Sequence, residues 1–134
     1  MLSLRSWWRR WFGSRSERAA ASFLRRLGYR ILASNVHNRF GELDIIALED
    51  RTVVFVEVRS TEQATTQEPG ESINETKQQK LTRAALAWLK EKRLLDYPAR
   101  FDAILIAWPA DQREPRIEHV RQAFEASGRG QMYS

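Results

Sequence analysis

The stretch GELDIIALEDRTVVFVEVRS, residues 41–60, constrains the chain more than any other. Two apolar runs, 42–48 and 53–59, flank the polar turn EDRT, which predicts an antiparallel hairpin. Whether two or four residues form the loop, opposed positions sum to 101. Val53 then faces Leu48, Phe55 faces Ile46, Glu57 faces Asp44 and Arg59 faces Glu42. The alternate face, Leu43, Ile45, Ala47, Val54, Val56 and Val58, is wholly apolar and demands a core. All four charges therefore fall on the other face, gathered at its far end. Opposed side chains in a hairpin have Cβ atoms about 4.5–5.5 Å apart, so Asp44 and Glu57 can place oxygens on one hard divalent cation. The plain alternative is a Glu42–Arg59 ion pair beside two solvated carboxylates.

The 134 residues fit one domain. A helix is expected from Ser14, a candidate N-cap with Glu17 at capping-box spacing, to Gly28. A strand over YRILAS is expected before the hairpin, and the polar residues 60–72 are read as a mobile loop. A long helix begins at Ser72 or Asn74, with Glu75 as a capping partner and a stripe of Leu81, Ala85, Trp88, Leu89 and Leu95. RFDAILIAW gives a strand, and RIEHVRQAFEASG a short strand or turn and a last helix. The expected fold is an α/β domain with a mixed central sheet flanked by helices, in the order α-β-β-β-α-β-α. A basic aromatic arm occupies 1–12, the domain 13–127 and a tail 128–134.

Charge is unevenly spread. Residues 1–39 hold nine arginines and one glutamate, residues 40–76 two arginines and nine acids, and residues 77–134 eleven bases and seven acids. Basic segments around a carboxylate cluster match a polyanion held over a metal site, and equally match an uneven solvated surface. Without cysteine there is neither a disulfide framework nor a thiolate metal site, and a reducing compartment is the default. The longest apolar runs, AALAWL and AILIAW, are far too short to span a bilayer, and a cytoplasmic protein is expected. His37 and His119 find no carboxylate or histidine at ligand spacing and are read as solvated or as partners of a ligating residue, not ligands themselves. In MLSLRSWWRRWFG, aromatic residues at helical spacing beside arginines suit a membrane surface, a partner groove or stacking on unpaired bases, as well as packing on their own domain.

From Gly13 to Phe124 the chain resembles the YraN-like family of small bacterial endonuclease-like proteins, within the PD-(D/E)xK nuclease superfamily. The matching segments are GSRSERAAASFLRRLGYRIL, NRFGELDIIA, VVFVEVRS, KQQKL, RFD and IEHVRQAF. The resemblance implies a restriction-endonuclease-like sheet similar to that of archaeal Holliday-junction resolvases, with DNA, branched DNA included, as substrate in preference to RNA. It implies Mg²⁺ or Mn²⁺ held by Asp44 and Glu57 with a carbonyl at Val58, and Glu17 or Glu42 acting through water. Arg39, Lys77, Lys80 and Arg83 would contact nucleic acid. Position 59 departs from the pattern, being Arg where the motif has Lys, and Thr61 stands where a further base is common. Arginine stays protonated, so Arg59 can hold a phosphate or stabilise charge but cannot act as a base. Lys77 is the candidate for the missing ammonium. The competing expectation is a nucleic-acid-binding protein that has kept the fold and lost catalysis. The sequence leaves the oligomeric state open, a dimer included.

Overall fold

The computed structural model describes residues 14–61, 73–110 and 114–126. The arm over 1–12, the tail over 128–134, Ser72 and most of the loop expected over 60–72 lie outside the described residues. The elements run α1 (Arg15–Arg26), β1 (Arg30–Asn38), β2 (Gly41–Glu49), β3 (Thr52–Thr61), α2 (Glu75–Glu91), β4 (Ala99–Ala107) and β5 (Arg116–Phe124). The five strands form one sheet in sequence order. Only β3 and β4 are parallel, as a connection through the helix α2 allows, so the sheet is mixed.

Local chemistry sets the helix ends. Ser14 Oγ accepts from the Glu17 amide at 3.2 Å, and Asn74 Oδ1 accepts from the Lys77 amide at 2.9 Å, so each N-cap satisfies one orphan donor. Gly28, at φ +98°, lets the chain turn out of α1 while the Tyr29 amide returns to the Leu24 carbonyl at 3.0 Å. Along α2 the buried stripe is Leu81, Thr82, Ala84, Ala85, Trp88 and Leu89. Leu95, expected in that stripe, lies beyond the helix end and is 43% exposed.

Helices cover both sheet faces. Phe55 meets Trp88 of α2 edge-on at 6.0 Å, whereas Phe23 of α1 meets His119 of β5 at 5.9 Å. Ile45, Ile46, Val53, Val54, Ile104 and Ile106 have no exposed surface, which places the core on both sides of β2, β3 and β4. The β2–β3 register is the expected one, from Ile45 opposite Val56 to Glu49 opposite Thr52, around the two-residue loop Asp50–Arg51.

One element corrects the expected order. Residues 116–124 form a strand antiparallel to β4, not a last helix, and the order is α-β-β-β-α-β-β. Pairing there satisfies the backbone of the free side of β4, and it seats Phe124 on Phe101 with ring centroids 4.5 Å apart. A lone terminal helix would offer β4 neither.

Candidate functional site

The β2–β3 ladder runs as far as Ile45 and Val56, and beyond it a side chain takes over. Asp44 Oδ2 accepts from the Val58 amide at 2.9 Å, and its carboxyl lies beside that of Glu57. The two expected partners thus meet at the end of the hairpin. Burial pushes the Asp44 pKa up to about 7, and the charges of Glu57 and, more weakly, Glu17 add to this against the Val58 amide. Beneath the pair, Leu43, Phe55, Leu81, Phe101 and Phe124 help to wall a cavity of about 10 Å³, which keeps bulk water from one side of the carboxyls.

Cations close the other side. Lys77 Nζ lies 2.9 Å from Glu57 Oε2, reaching down from the first turn of α2 that Asn74 caps. The Glu57 side chain is only 8% exposed, whereas that of Lys77 is 45% exposed. Arg59, expected opposite Glu42, instead follows Glu57 on the same face, with Nε 3.9 Å from Oε2. That is beyond hydrogen-bond reach, and among the described residues Arg59 Nε is a buried donor without a hydrogen-bond acceptor. An orphaned guanidinium nitrogen beside a carboxylate pair is suited to an incoming anion.

The remaining candidates divide. Glu17 accepts from Asn35 Nδ2 at 3.0 Å; Asn35, at φ +50°, follows an irregularity in β1 between Ile31 and Ala33. Glu17 thus stands near the pair as a carboxylate held by an amide. Glu42 is turned toward its cross-strand neighbour His37, 3.4 Å away, with both side chains about two-thirds exposed. Lys77 and Lys80 line an open recess of about 380 Å³ with Gly41, Glu42, Asn74, Thr76 and Leu81. Gly41, at φ +155°, takes a backbone shape there that L side chains resist, with the Lys80 carbonyl 3.9 Å from where a Cβ would stand. Arg39 and Arg83 are exposed, Arg39 lying over the Phe40 ring.

Among the described residues no three acidic, histidine or cysteine side chains come together as a metal-binding group. The donor set that is present, two carboxylates beside cationic groups, still fits Mg²⁺. That ion keeps several waters and is commonly bound by one or two carboxylates with substrate phosphates completing the shell.

A second charged cluster escapes the sequence reading. Asp102, fully buried, receives hydrogen bonds from Arg100 Nε at 2.9 Å and the Gln122 amide at 2.9 Å, and His119 Nε2 lies 2.8 Å from its other oxygen. Of the two expected roles, His119 takes that of a carboxylate's partner, with its side chain 9% exposed. Arg100 continues to Tyr29 Oη at 2.8 Å and Glu49 at 2.8 Å, and Arg121 joins both. Burial alone would raise the Asp102 pKa, but the bonds from His119, Arg100 and the Gln122 amide outweigh it and hold the carboxyl below its usual range. Arg100 and Asp102, two apart in RFD, were the legible trace of this network; the approach of β5 was not.

A five-stranded mixed sheet between two helices, carrying a carboxylate pair where its central hairpin ends, defines an α/β protein. The family model described as Uncharacterised protein family UPF0102 matches residues 16–106, and the chain belongs to that family, the YraN-like family expected from its motifs. It is similar to UPF0102 protein RB9115 of Rhodopirellula baltica, 43% identical over 90% of this chain and 74% of the relative. It is 45% identical to UPF0102 protein GSU0650 of Geobacter sulfurreducens over 84% of this chain and 88% of that one. A UPF0102 protein of Geotalea uraniireducens is 41% identical with the same coverage.

Proposed function

We propose that this chain is a Mg²⁺- or Mn²⁺-dependent endonuclease that hydrolyses DNA phosphodiester bonds, branched DNA among its substrates. The observation that supports it is the meeting of Asp44, Glu57, Lys77 and Arg59 at one end of the hairpin, two carboxylates and two cations beside an open basic recess. Asp44 and Glu57 would hold the divalent ion, which when bound supplies Lewis-acid polarisation of a phosphate and of water. Hydrolysis forms one P–O bond from water and breaks the P–O bond to the leaving sugar oxygen. Glu17, held by Asn35, orients the water and takes its proton through solvent. The guanidinium of Arg59 and the ammonium of Lys77 face the negative charge that develops on phosphorus oxygens. Lys80, Arg39 and Arg83 hold the backbone on either side.

The test is cleavage of branched, single-stranded and duplex DNA with and without Mg²⁺ or Mn²⁺, beside Asp44→Asn. Metal-dependent cleavage lost in the variant is the expected result. Absence of cleavage on every substrate overturns it. A second reading rests on Arg59 in the place of the motif lysine: a nucleic-acid-binding protein that has kept the fold without catalysis. Salt-sensitive DNA binding without cleavage would select it.

A further inference from the structure

The Lys77–Glu57 contact does more than replace a missing lysine. The glutamate is nearly buried, so its charge is compensated from few directions, and the nearest compensation is an ammonium 2.9 Å away on a half-exposed side chain. A divalent ion coordinating the same oxygen competes with that ammonium, because two positive charges within a few ångströms beside a nearly buried carboxylate repel. Lys77 must leave for the metal to enter. Its first helical turn is fixed by the Asn74 cap, so its freedom lies in the side chain, and the recess it shares with Lys80 is open to solvent. The new partner for the displaced ammonium is a phosphate in that recess, which Lys80 also lines.

We infer that Lys77 is an exchange cation: it neutralises Glu57 in the metal-free protein and moves to a nucleic-acid phosphate when the divalent ion binds, so that metal and nucleic acid bind cooperatively. This rests on the metal reading of the carboxylate pair and adds a coupling to it. By linkage, DNA tightens metal binding by the same factor by which metal tightens DNA binding. The ammonium thereby keeps the pair closed to divalent ions until a phosphate backbone is present.

The experiment measures free Mn²⁺ by electron paramagnetic resonance during titration of the full chain, with and without a duplex DNA oligonucleotide, in wild type, Lys77→Gln and Lys77→Arg. Thermal melts of each show that the exposed substitution leaves the fold intact. In wild type, DNA should tighten Mn²⁺ binding several-fold. K77Q should bind Mn²⁺ about tenfold more tightly than wild type without DNA, the order expected for removing one competing charge at a partly buried site, and DNA should add little further. K77R should keep the coupling. If K77Q binds Mn²⁺ no more tightly than wild type, or DNA tightens both equally, the exchange role is overturned while the metal site stands. If no variant binds Mn²⁺ with or without DNA, the proposed metal site falls and the exchange with it.

Discussion

Asp44 keeps its proton to about pH 7 because it is buried beside Glu57, with only one backbone amide favouring its charged form. Between the ordinary value of 3.8 and about 7, the folded metal-free chain binds more protons at this carboxyl than the unfolded chain. The stability it contributes is therefore complete below pH 4 and lost as pH rises through 7, on the order of 2 kcal/mol for this partly solvated group. Melts in chelator should show that decline in wild type and a flatter profile in Asp44→Asn. At pH 8, Mg²⁺ should raise the wild-type melting temperature and leave the variant unmoved; equal shifts in both would remove the cation from this site. Arg59→Lys tests the neighbouring position. It keeps a positive charge beside Glu57 and removes a buried guanidinium nitrogen that lacks an acceptor, so it should not destabilise the domain, and it should raise the rate of any cleavage by returning an ammonium to the motif. Asp44, Glu57 and Arg59 were legible because strand alternation fixes a face without reference to the rest of the fold. Lys77 reaching Glu57 was legible only through the resemblance, since no local pattern connects residues on β3 and α2.

At the scale of elements, the hairpin was readable and β5 was not, for one physical reason. The β2–β3 register depends on a two-residue turn and an uninterrupted alternation, both local. In β5 the alternation is broken: Val120 pairs with Ala103 and Phe124 with Phe101, so four residues of β5 span two of β4, with Gln122 at φ +51° in the bulge. Ile117, Val120 and Phe124 consequently fall at helical spacing within a strand. The bulge is fixed by tertiary chemistry, because the Gln122 amide is what donates to buried Asp102. Asp102→Asn should accordingly destabilise the domain by about 3 kcal/mol, the cost of breaking a buried charge network from one side. Chemical denaturation measures it, and a loss below about 1 kcal/mol would show that the network is solvated in solution. Because the Asp102 pKa is held low, its contribution is present at neutral pH and fades as pH falls below the usual carboxylate range, opposite in sign to that of Asp44.

Across the whole molecule, basic side chains stand at separate places that a binding experiment can tell apart. Lys77 and Lys80 sit at the N-terminal end of α2 beside the carboxylate pair, and Lys90 and Lys92 at the other end, about 20 Å away along the helix axis at 1.5 Å per residue. If the nucleic-acid backbone crosses the recess, only the first two neutralise phosphates. Each phosphate contact contributes about −0.9 to the slope of log K against log salt on duplex DNA. Lys80→Ala should then make the slope shallower by about one and weaken binding on every sequence alike, whereas Lys90→Ala and Lys92→Ala should leave it unchanged. Arg39→Ala and Arg83→Ala should behave as Lys80→Ala does, since both are exposed on the segments that flank the recess. Fluorescence anisotropy from about 50 to 200 mM salt resolves a change of that size, over a range where several phosphate contacts alter affinity by orders of magnitude. Equal effects at both ends of α2 would mean that affinity comes from net charge alone. The recess would then not be the path of the strand, and the carboxylate pair would lie away from bound nucleic acid.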